Sequence, residues 1–166
     1  CNAPTRMLVP ASKHAEALEI AKAAAEKVVA GEPDAEGTTI GPVSNKVQFD
    51  KIRGPIQAGI DEGAELVCGG TDMPEGIDKG YYIRPTVFGN VTNDMRIARE
   101  EIFGPVLSIL PYETEDEAVE IANDTVYGLA AYIQSGNSDH AYKIAAQLRV
   151  GNVSVNGASS DIAAPF

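Results

Sequence analysis

The chain has 166 residues, of which 44% are hydrophobic and 22% charged, a composition typical of a folded globular protein rather than a disordered one. Its net charge of −11 at pH 7 argues against nucleic acid or an anionic membrane as a partner, because both are bound through clusters of Lys and Arg. Two cysteines and two histidines, without a CxxC pair, predict neither a disulfide framework nor a metal site.

The first part of the chain predicts one short strand and two helices. Residues 7–9 form an apolar strand pattern. Ser12 is placed to cap a helix that runs to about residue 30, because apolar residues recur there at helical spacing. A second helical pattern covers residues 44–63, where Pro55 predicts a kink or break, since a proline ring clashes with the carbonyl group four residues earlier.

The remainder of the chain alternates regularly between strands and helices. Pro85 predicts an edge position or a bend in the strand expected over residues 81–88, since proline has no N–H for the sheet. Residues 106–110 are apolar except for Ser108, which indicates a strand buried on both faces. Thr114 and Glu117 form a capping box that opens another helix. Further strands are expected at 65–68, 129–134 and 153–155, and further helical segments at 95–100 and from residue 138 onward.

This alternation predicts an α/β fold: a mostly parallel twisted sheet with helices on both faces. No shift in composition suggests a linker, so we expect a single domain over residues 1–166. His14 and His140 lie near predicted helix starts, where exposed or capping roles are expected. The sequence contains neither G-x-G-x-x-G nor the P-loop pattern, which predicts that any nucleotide would be held largely by other parts of the protein.

Cys1 carries a thiol, the most nucleophilic of the ordinary side-chain groups, and three interpretations of this residue are open. It could be an N-terminal nucleophile whose own α-amino group acts as base, as in some amidohydrolases. It could be an internal nucleophile of a longer protein, or an inert packed thiol. The alternation of strands and helices argues against the amidohydrolase, because those enzymes are layered antiparallel sandwiches.

A second unusual segment precedes the apolar strand, with the sequence Glu100-Glu101-Ile102-Phe103-Gly104-Pro105. A carboxylate in such a loop could accept two sugar hydroxyl groups while Phe103 packs on a flat ring. On residue chemistry alone, however, a charge pair at a helix end followed by a core phenylalanine is the favoured interpretation.

Taken together, several segments resemble the NAD(P)-dependent aldehyde dehydrogenase family in their order and spacing. They are Cys1-Asn2-Ala3-Pro4-Thr5-Arg6, Glu100-Glu101-Ile102-Phe103-Gly104-Pro105-Val106, Ala122-Asn123-Asp124-Thr125-Val126-Tyr127-Gly128-Leu129, Val155-Asn156-Gly157 and Ala164-Pro165-Phe166. The resemblance covers the whole chain. It implies the family's catalytic domain, beginning at the nucleophile and truncated at both ends, with the nucleotide-binding domain absent.

The resemblance implies specific roles for residues of the catalytic and cofactor sites. Cys1 matches the catalytic cysteine, Glu101 the carboxylate that binds the nicotinamide ribose, and Phe103 the aromatic residue beside that ribose and ring. Gln48 and Lys51 resemble a helical pair that faces the cofactor. The implied cofactor is NAD or NADP, and the implied chemistry passes from a thiohemiacetal to a thioester on Cys1.

Substrate binding is implied for two residues near the end of the chain. Gly157 and Phe166 resemble one wall of the aldehyde channel. The resemblance implies a full-length oxidoreductase that acts on a small-molecule aldehyde and forms a homo-oligomer (dimer or tetramer), and the default location is the cytoplasm. For the isolated 166-residue chain we expect no turnover, and a non-catalytic folded interaction module is the alternative for it.

Overall fold

The computed structural model describes residues 3–158, which form two compact units. The first unit is Thr5–Tyr112, and the second contains the described parts of Cys1–Pro4 and Glu113–Phe166. Each unit has its own sheet. The expectation of a single catalytic domain over residues 1–166 stays a prediction.

The first unit is built on a four-stranded sheet in the order β1-β4-β3-β2. Strands β1, β4 and β3 are mutually parallel, and β2 is antiparallel to β3 at one edge. The elements in chain order are β1 (Arg6–Pro10), α1 (His14–Ala25), α2 (Lys46–Asp61), β2 (Glu65–Cys68), β3 (Thr86–Gly89), α3 (Arg96–Arg99) and β4 (Val106–Tyr112), with a 3-10 turn at Ala11–Lys13.

Helices cover both faces of this sheet, as the sequence predicts. Val87 of β3 packs in a buried cluster with Leu18 of α1 and with Val9 and Ile109 of the neighbouring strands. The next residue, Phe88, points to the opposite face because side chains alternate along a strand. There it meets α2 so closely that a Cβ added at Gly59 would lie 3.2 Å from the Phe88 ring. The α/β fold with a mostly parallel sheet is therefore confirmed.

The second unit contains a two-stranded parallel sheet and two helices. Thr114 Oγ1 accepts a hydrogen bond from Glu117 N at 3.2 Å, which confirms the predicted cap. His140 Nε2 lies 2.8 Å from a carboxylate oxygen of Glu115, so the beginnings of the two helices are joined. The elements are α4 (Glu115–Asn123), β5 (Ala130–Ile133), α5 (Ser138–Ala145) and β6 (Asn152–Val155), and β5 pairs with β6.

The first helix differs from the prediction at both ends. Lys13 rather than Ser12 occupies the position before α1, and no side-chain hydrogen bond caps it. The helix ends at Ala25 rather than near residue 30, because Val29 instead pairs with Thr39, whose N–H donates to Val29 O at 2.9 Å. His14 is buried, and its Nε2 accepts from Asn90 N at 3.2 Å, so the expected exposed or capping role is wrong.

Of the kink or break predicted at Pro55, the break is wrong, because α2 continues through it to Asp61, and the kink stays a prediction. A residue before proline avoids helical geometry mainly because its Cβ and N–H meet the proline ring. Gly54 has no Cβ, which relieves part of that clash. The helix begins after Asn45, whose side chain accepts from Gln48 N.

Strand β3 is shorter than the expected strand over residues 81–88. It begins at Thr86, immediately after Pro85. Because β3 lies between β2 and β4, each of its N–H groups faces a neighbouring strand, and a proline inside it would remove a ladder bond. The proline therefore ends the irregular segment and does not bend the strand.

Candidate active site

The part of the candidate site that the structure describes is the loop over residues 101–105, which leads into β4. Ile102 is 3% exposed and buried in the core, whereas the next residue, Phe103, is 56% exposed. Glu101 is also exposed. The loop is thus anchored by Ile102 while the ring of Phe103 stays accessible, so the interpretation of Phe103 as a core residue is wrong.

The backbone of Phe103 is in the left-handed region, with φ of +57°. This region is disfavoured for a residue with a Cβ, and bulky residues there occur where the surroundings hold them. The conformation therefore needs specific contacts from outside the loop. Helix α2 supplies them.

Gln48, in the first turn of α2, is bonded to this loop. Its Nε2 donates to Phe103 O at 2.8 Å and lies 3.5 Å from Ile102 O. The backbone of Gln48 is itself fixed, because Asn45 Oδ1 accepts from Gln48 N at 2.9 Å. The amide group of Gln48 is thus held where it contacts both carbonyl groups that flank the Phe103 backbone.

One turn further along α2, Ile52 packs against Gly104. Ile52 is fully buried, and a Cβ added at Gly104 would lie 2.7 Å from its Cδ1. Residues four apart lie on the same helix face, so Gln48 and Ile52 meet the loop side by side. At the end of the loop, Pro105 O accepts from Thr86 N at 2.8 Å. The loop is therefore fixed by side chains of α2 and by the sheet.

Strand β1 begins at the same edge of the sheet. Strands β1 and β4 are parallel, with Arg6 opposite Ser108, and Ser108 N donates to Thr5 O at 2.9 Å. Both strands thus begin at the edge where the loop over residues 101–105 lies. Cys1 is four positions before Thr5 in the sequence.

The remaining predicted site residues fall in different places. Lys51 is exposed on α2, three positions after Gln48. Gly157 belongs to the second unit and follows β6 with φ of +76°, where an added Cβ would meet no atom within 4 Å. Cys1 and Phe166 lie outside the described residues. Among the described residues of this set, Gln48 is bonded to Phe103, and the roles of all seven residues stay predictions.

The second cysteine has a different environment from that of a reactive thiol. Cys68 ends the edge strand β2 and is partly buried. Burial raises the pKa of its thiol above the ordinary value, which disfavours the nucleophilic thiolate. This agrees with the packing role that its place at a strand end suggests.

Two further properties concern residues 3–158 only. Among these residues, no group of three or more His, Cys, Asp or Glu side chains is arranged to hold a metal ion. No helix in the same range has the length and apolar character needed to cross a membrane.

Two features of this site were not predicted from the sequence. Asn45-x-x-Gln48 is a helix-capping pattern, and recognising it would have placed Gln48 in the first turn of α2. The left-handed conformation of Phe103 has no comparable signal, since phenylalanine is not typical of that region.

Comparison with known proteins gives matches that cover the chain. The model of the aldehyde dehydrogenase family matches residues 1–166. The whole chain is 49% identical to a 3-succinoylsemialdehyde-pyridine dehydrogenase of Pseudomonas sp and covers 35% of it. A crystal structure of aldehyde dehydrogenase from Bartonella henselae is 57% identical with a TM-score of 0.94, over 97% of this chain and 34% of that one.

A second solved structure contains ligands. It is a mutant of aldehyde dehydrogenase C from Pseudomonas syringae in complex with NAD+ and octanal, 50% identical with a TM-score of 0.95, over 99% of this chain and 34% of that one. The chain thus spans about a third of the length of the relatives it matches. Because the family model matches it from end to end, the chain belongs to the aldehyde dehydrogenase family.

Proposed function

We propose that the protein containing this chain oxidises an aldehyde to a carboxylic acid with NAD+ or NADP+. The observation that carries the proposal is the loop over residues 101–105, held by α2, in which an aromatic ring and a carboxylate two positions apart are both exposed. This occurs in a chain of the aldehyde dehydrogenase family, and a relative with 50% identity was solved with NAD+ and octanal.

The exposed residues fit a nicotinamide nucleotide. The face of Phe103 is open to a flat ring, and the carboxylate of Glu101 can accept hydrogen bonds from ribose hydroxyl groups. Both stand on a backbone that is already ordered, so little conformational entropy is lost when they bind. When bound, the nicotinamide supplies the hydride acceptor of the reaction.

Cys1 carries the covalent chemistry in this proposal. Its thiolate attacks the aldehyde carbon, forming a C–S bond and placing negative charge on the former carbonyl oxygen. Loss of hydride from that carbon restores the C=O bond and leaves a thioester on Cys1. Water then adds to the thioester, the C–S bond breaks, and the acid and the free thiol are released.

Chain geometry is compatible with this role for Cys1. Thr5 is held at the start of β1 through Ser108, beside the start of β4. Four residues span at most about 14 Å when fully extended. The connectivity of the chain therefore limits how far Cys1 can lie from Thr5.

The experiment is a pair of cysteine substitutions in the full-length protein. Production of NADH or NADPH from an aldehyde, followed by absorbance, should be lost in Cys1→Ser and retained in Cys68→Ser, because Cys68 is a packed thiol. The isolated 166-residue chain should show no turnover. Retained activity in Cys1→Ser, or a full-length protein that binds neither cofactor, would rule the proposal out.

We also propose that the full-length protein is a cytoplasmic homo-oligomer. The second unit exposes several large apolar side chains, among them Val126 at 92% and Tyr142 at 60%. Clusters of exposed apolar residues are typical of surfaces that are covered in an assembly. Light scattering of the purified full-length protein should give a mass of at least two subunits, and a monomeric mass would contradict this proposal.

A further inference from the structure

We propose that Gln48 is a positioning residue, which holds Phe103 in its left-handed conformation and thereby sets the pair Glu101 and Phe103 for the cofactor. This goes beyond the cofactor-facing role that the resemblance implies for Gln48. It rests on the proposed function only where the cofactor is concerned.

The directions of the two carbonyl groups bonded by Gln48 depend on the backbone conformation of Phe103. Ile102 O belongs to the peptide before the Phe103 Cα and Phe103 O to the peptide after it, and one Nε2 atom meets them at 3.5 and 2.8 Å. In an extended chain, successive carbonyl groups point in opposite directions. An extended Phe103 would therefore turn one of these two oxygens away from Gln48.

The other contacts of the loop act on the neighbours of Phe103. The side chain of Ile102 is buried, Gly104 packs on Ile52, and Pro105 O is bonded to Thr86 N. The ring of Phe103 itself is 56% exposed, so packing gives it little support. Among residues 3–158, Gln48 is the residue seen to bond the Phe103 backbone.

Gln48 is well placed for this function because its own position is determined independently. Asn45 caps α2 through Gln48 N, and the fully buried Ile52 fixes the same helix face one turn later. Helix α2 is held in place by the core, and it holds the loop over residues 101–105, whose functional side chains are exposed. Without the amide donor, Phe103 is free to leave the left-handed region, which moves its ring and the adjacent Glu101.

The test compares Gln48→Glu with a matched change on the same helix in the full-length protein. Glutamate keeps the shape of glutamine but presents a carboxylate to two carbonyl oxygens. Gln57→Glu makes the same chemical change at an exposed residue of α2 whose amide bonds Asp61. Hydrogen exchange without cofactor is measured for peptides spanning residues 101–106 and for α2, and the Kd of NAD+ or NADP+ is measured by calorimetry.

Gln48→Glu should speed exchange in residues 101–106 and weaken cofactor binding, each by about tenfold, as expected for the loss of one hydrogen bond to the loop backbone. Exchange in α2 and the thermal midpoint should stay unchanged. Gln57→Glu should change neither hydrogen exchange in residues 101–106 nor the Kd of the cofactor. If Gln48→Glu does not fold, Gln48→Leu removes the donor without adding charge and takes its place.

Each other outcome is decisive. A weaker Kd with unchanged loop exchange would mean that Gln48 contacts the cofactor directly, and Lys51→Met serves as the reference for that pattern. Faster loop exchange with an unchanged Kd would mean that the order of the loop does not set the cofactor site. If the wild-type protein binds neither cofactor, the proposed function fails together with the cofactor part of this inference, while exchange still decides whether Gln48 holds the loop.

Discussion

Gln48 donates from Nε2 to the backbone oxygen of Phe103 at 2.8 Å, across 55 positions of the chain. The bond joins the first turn of α2 to the loop that precedes β4. It converts a disfavoured backbone conformation into a stable one, and the result is an exposed aromatic ring on a fixed support. The loop over residues 101–105 is thus ordered by Gln48, a residue far from it in the sequence.

The close packing of Gly104 on Ile52 gives the first prediction. Gly104→Ala should lower the free energy of unfolding by about 1–3 kcal/mol, because the new Cβ meets a fully buried side chain that has no room to move. Urea denaturation measures the change. Gly136→Ala is the matched control, since an added Cβ there meets no atom within 4 Å, and it should stay within about 1 kcal/mol of wild type. Additive effects of Gly104→Ala and Ile52→Ala in the double mutant would contradict the contact.

The helix caps give the second prediction. Asn45→Ala and Thr114→Ala should each lower the free energy of unfolding by about 1 kcal/mol. Each side chain accepts a hydrogen bond from an otherwise unpaired N–H in the first turn of its helix. Ser12→Ala should be neutral within about 0.5 kcal/mol, since Ser12 does not cap α1. Thermal or urea unfolding of the three variants provides the measurement. If Ser12→Ala lowered the free energy of unfolding as much as Asn45→Ala, the start of α1 would be wrongly assigned.

The buried thiol of Cys68 gives the third prediction, which concerns pH. Burial raises the pKa of Cys68, so the folded protein favours the neutral thiol. This contribution to stability is present below the pKa of the unfolded thiol, about 8.5, and is lost as pH rises through the folded value. In the Cys1→Ser variant of the 166-residue chain, which keeps Cys68 as its thiol, alkylation at pH 7.5 should be slower in the native than in the urea-unfolded protein.

The pH profile of that reaction provides the check. The native alkylation rate should keep rising above pH 8.5, the region where the unfolded thiol levels off. A native profile that levels off below the unfolded one would mean that the thiolate is stabilised, and Cys68 would then have to be reconsidered as a reactive residue.

Local patterns were sufficient wherever a feature depends on neighbours in the sequence. The strand Glu65–Cys68 has the predicted bounds, and the Thr114 cap is formed as expected. Predominantly apolar character correctly identified the first part of β4 as largely buried. These features depend on spacings of two to four residues, which can be read without knowing what packs against them.

Predictions at prolines and histidines were less successful because their outcome depends on the partner. Pro55 is tolerated inside α2 next to a glycine, and Pro85 ends an irregular segment before a central strand. His14 is buried because Asn90, which lies 76 positions away, donates to its ring. The strands beside Pro85 and the partner of His14 come from distant parts of the sequence, whereas Gly54 adjoins Pro55 and could have been taken into account.

The sequence by itself determined the α/β alternation, the family and the residues that carry its motifs, because these depend on periodicity and on the order of short segments. Only the tertiary structure decided how Phe103 is presented. Its left-handed backbone and its bond to Gln48 arise when α2 packs beside the start of β4. A hydrogen bond between residues 55 positions apart depends on the packing of whole elements, which local spacing does not encode.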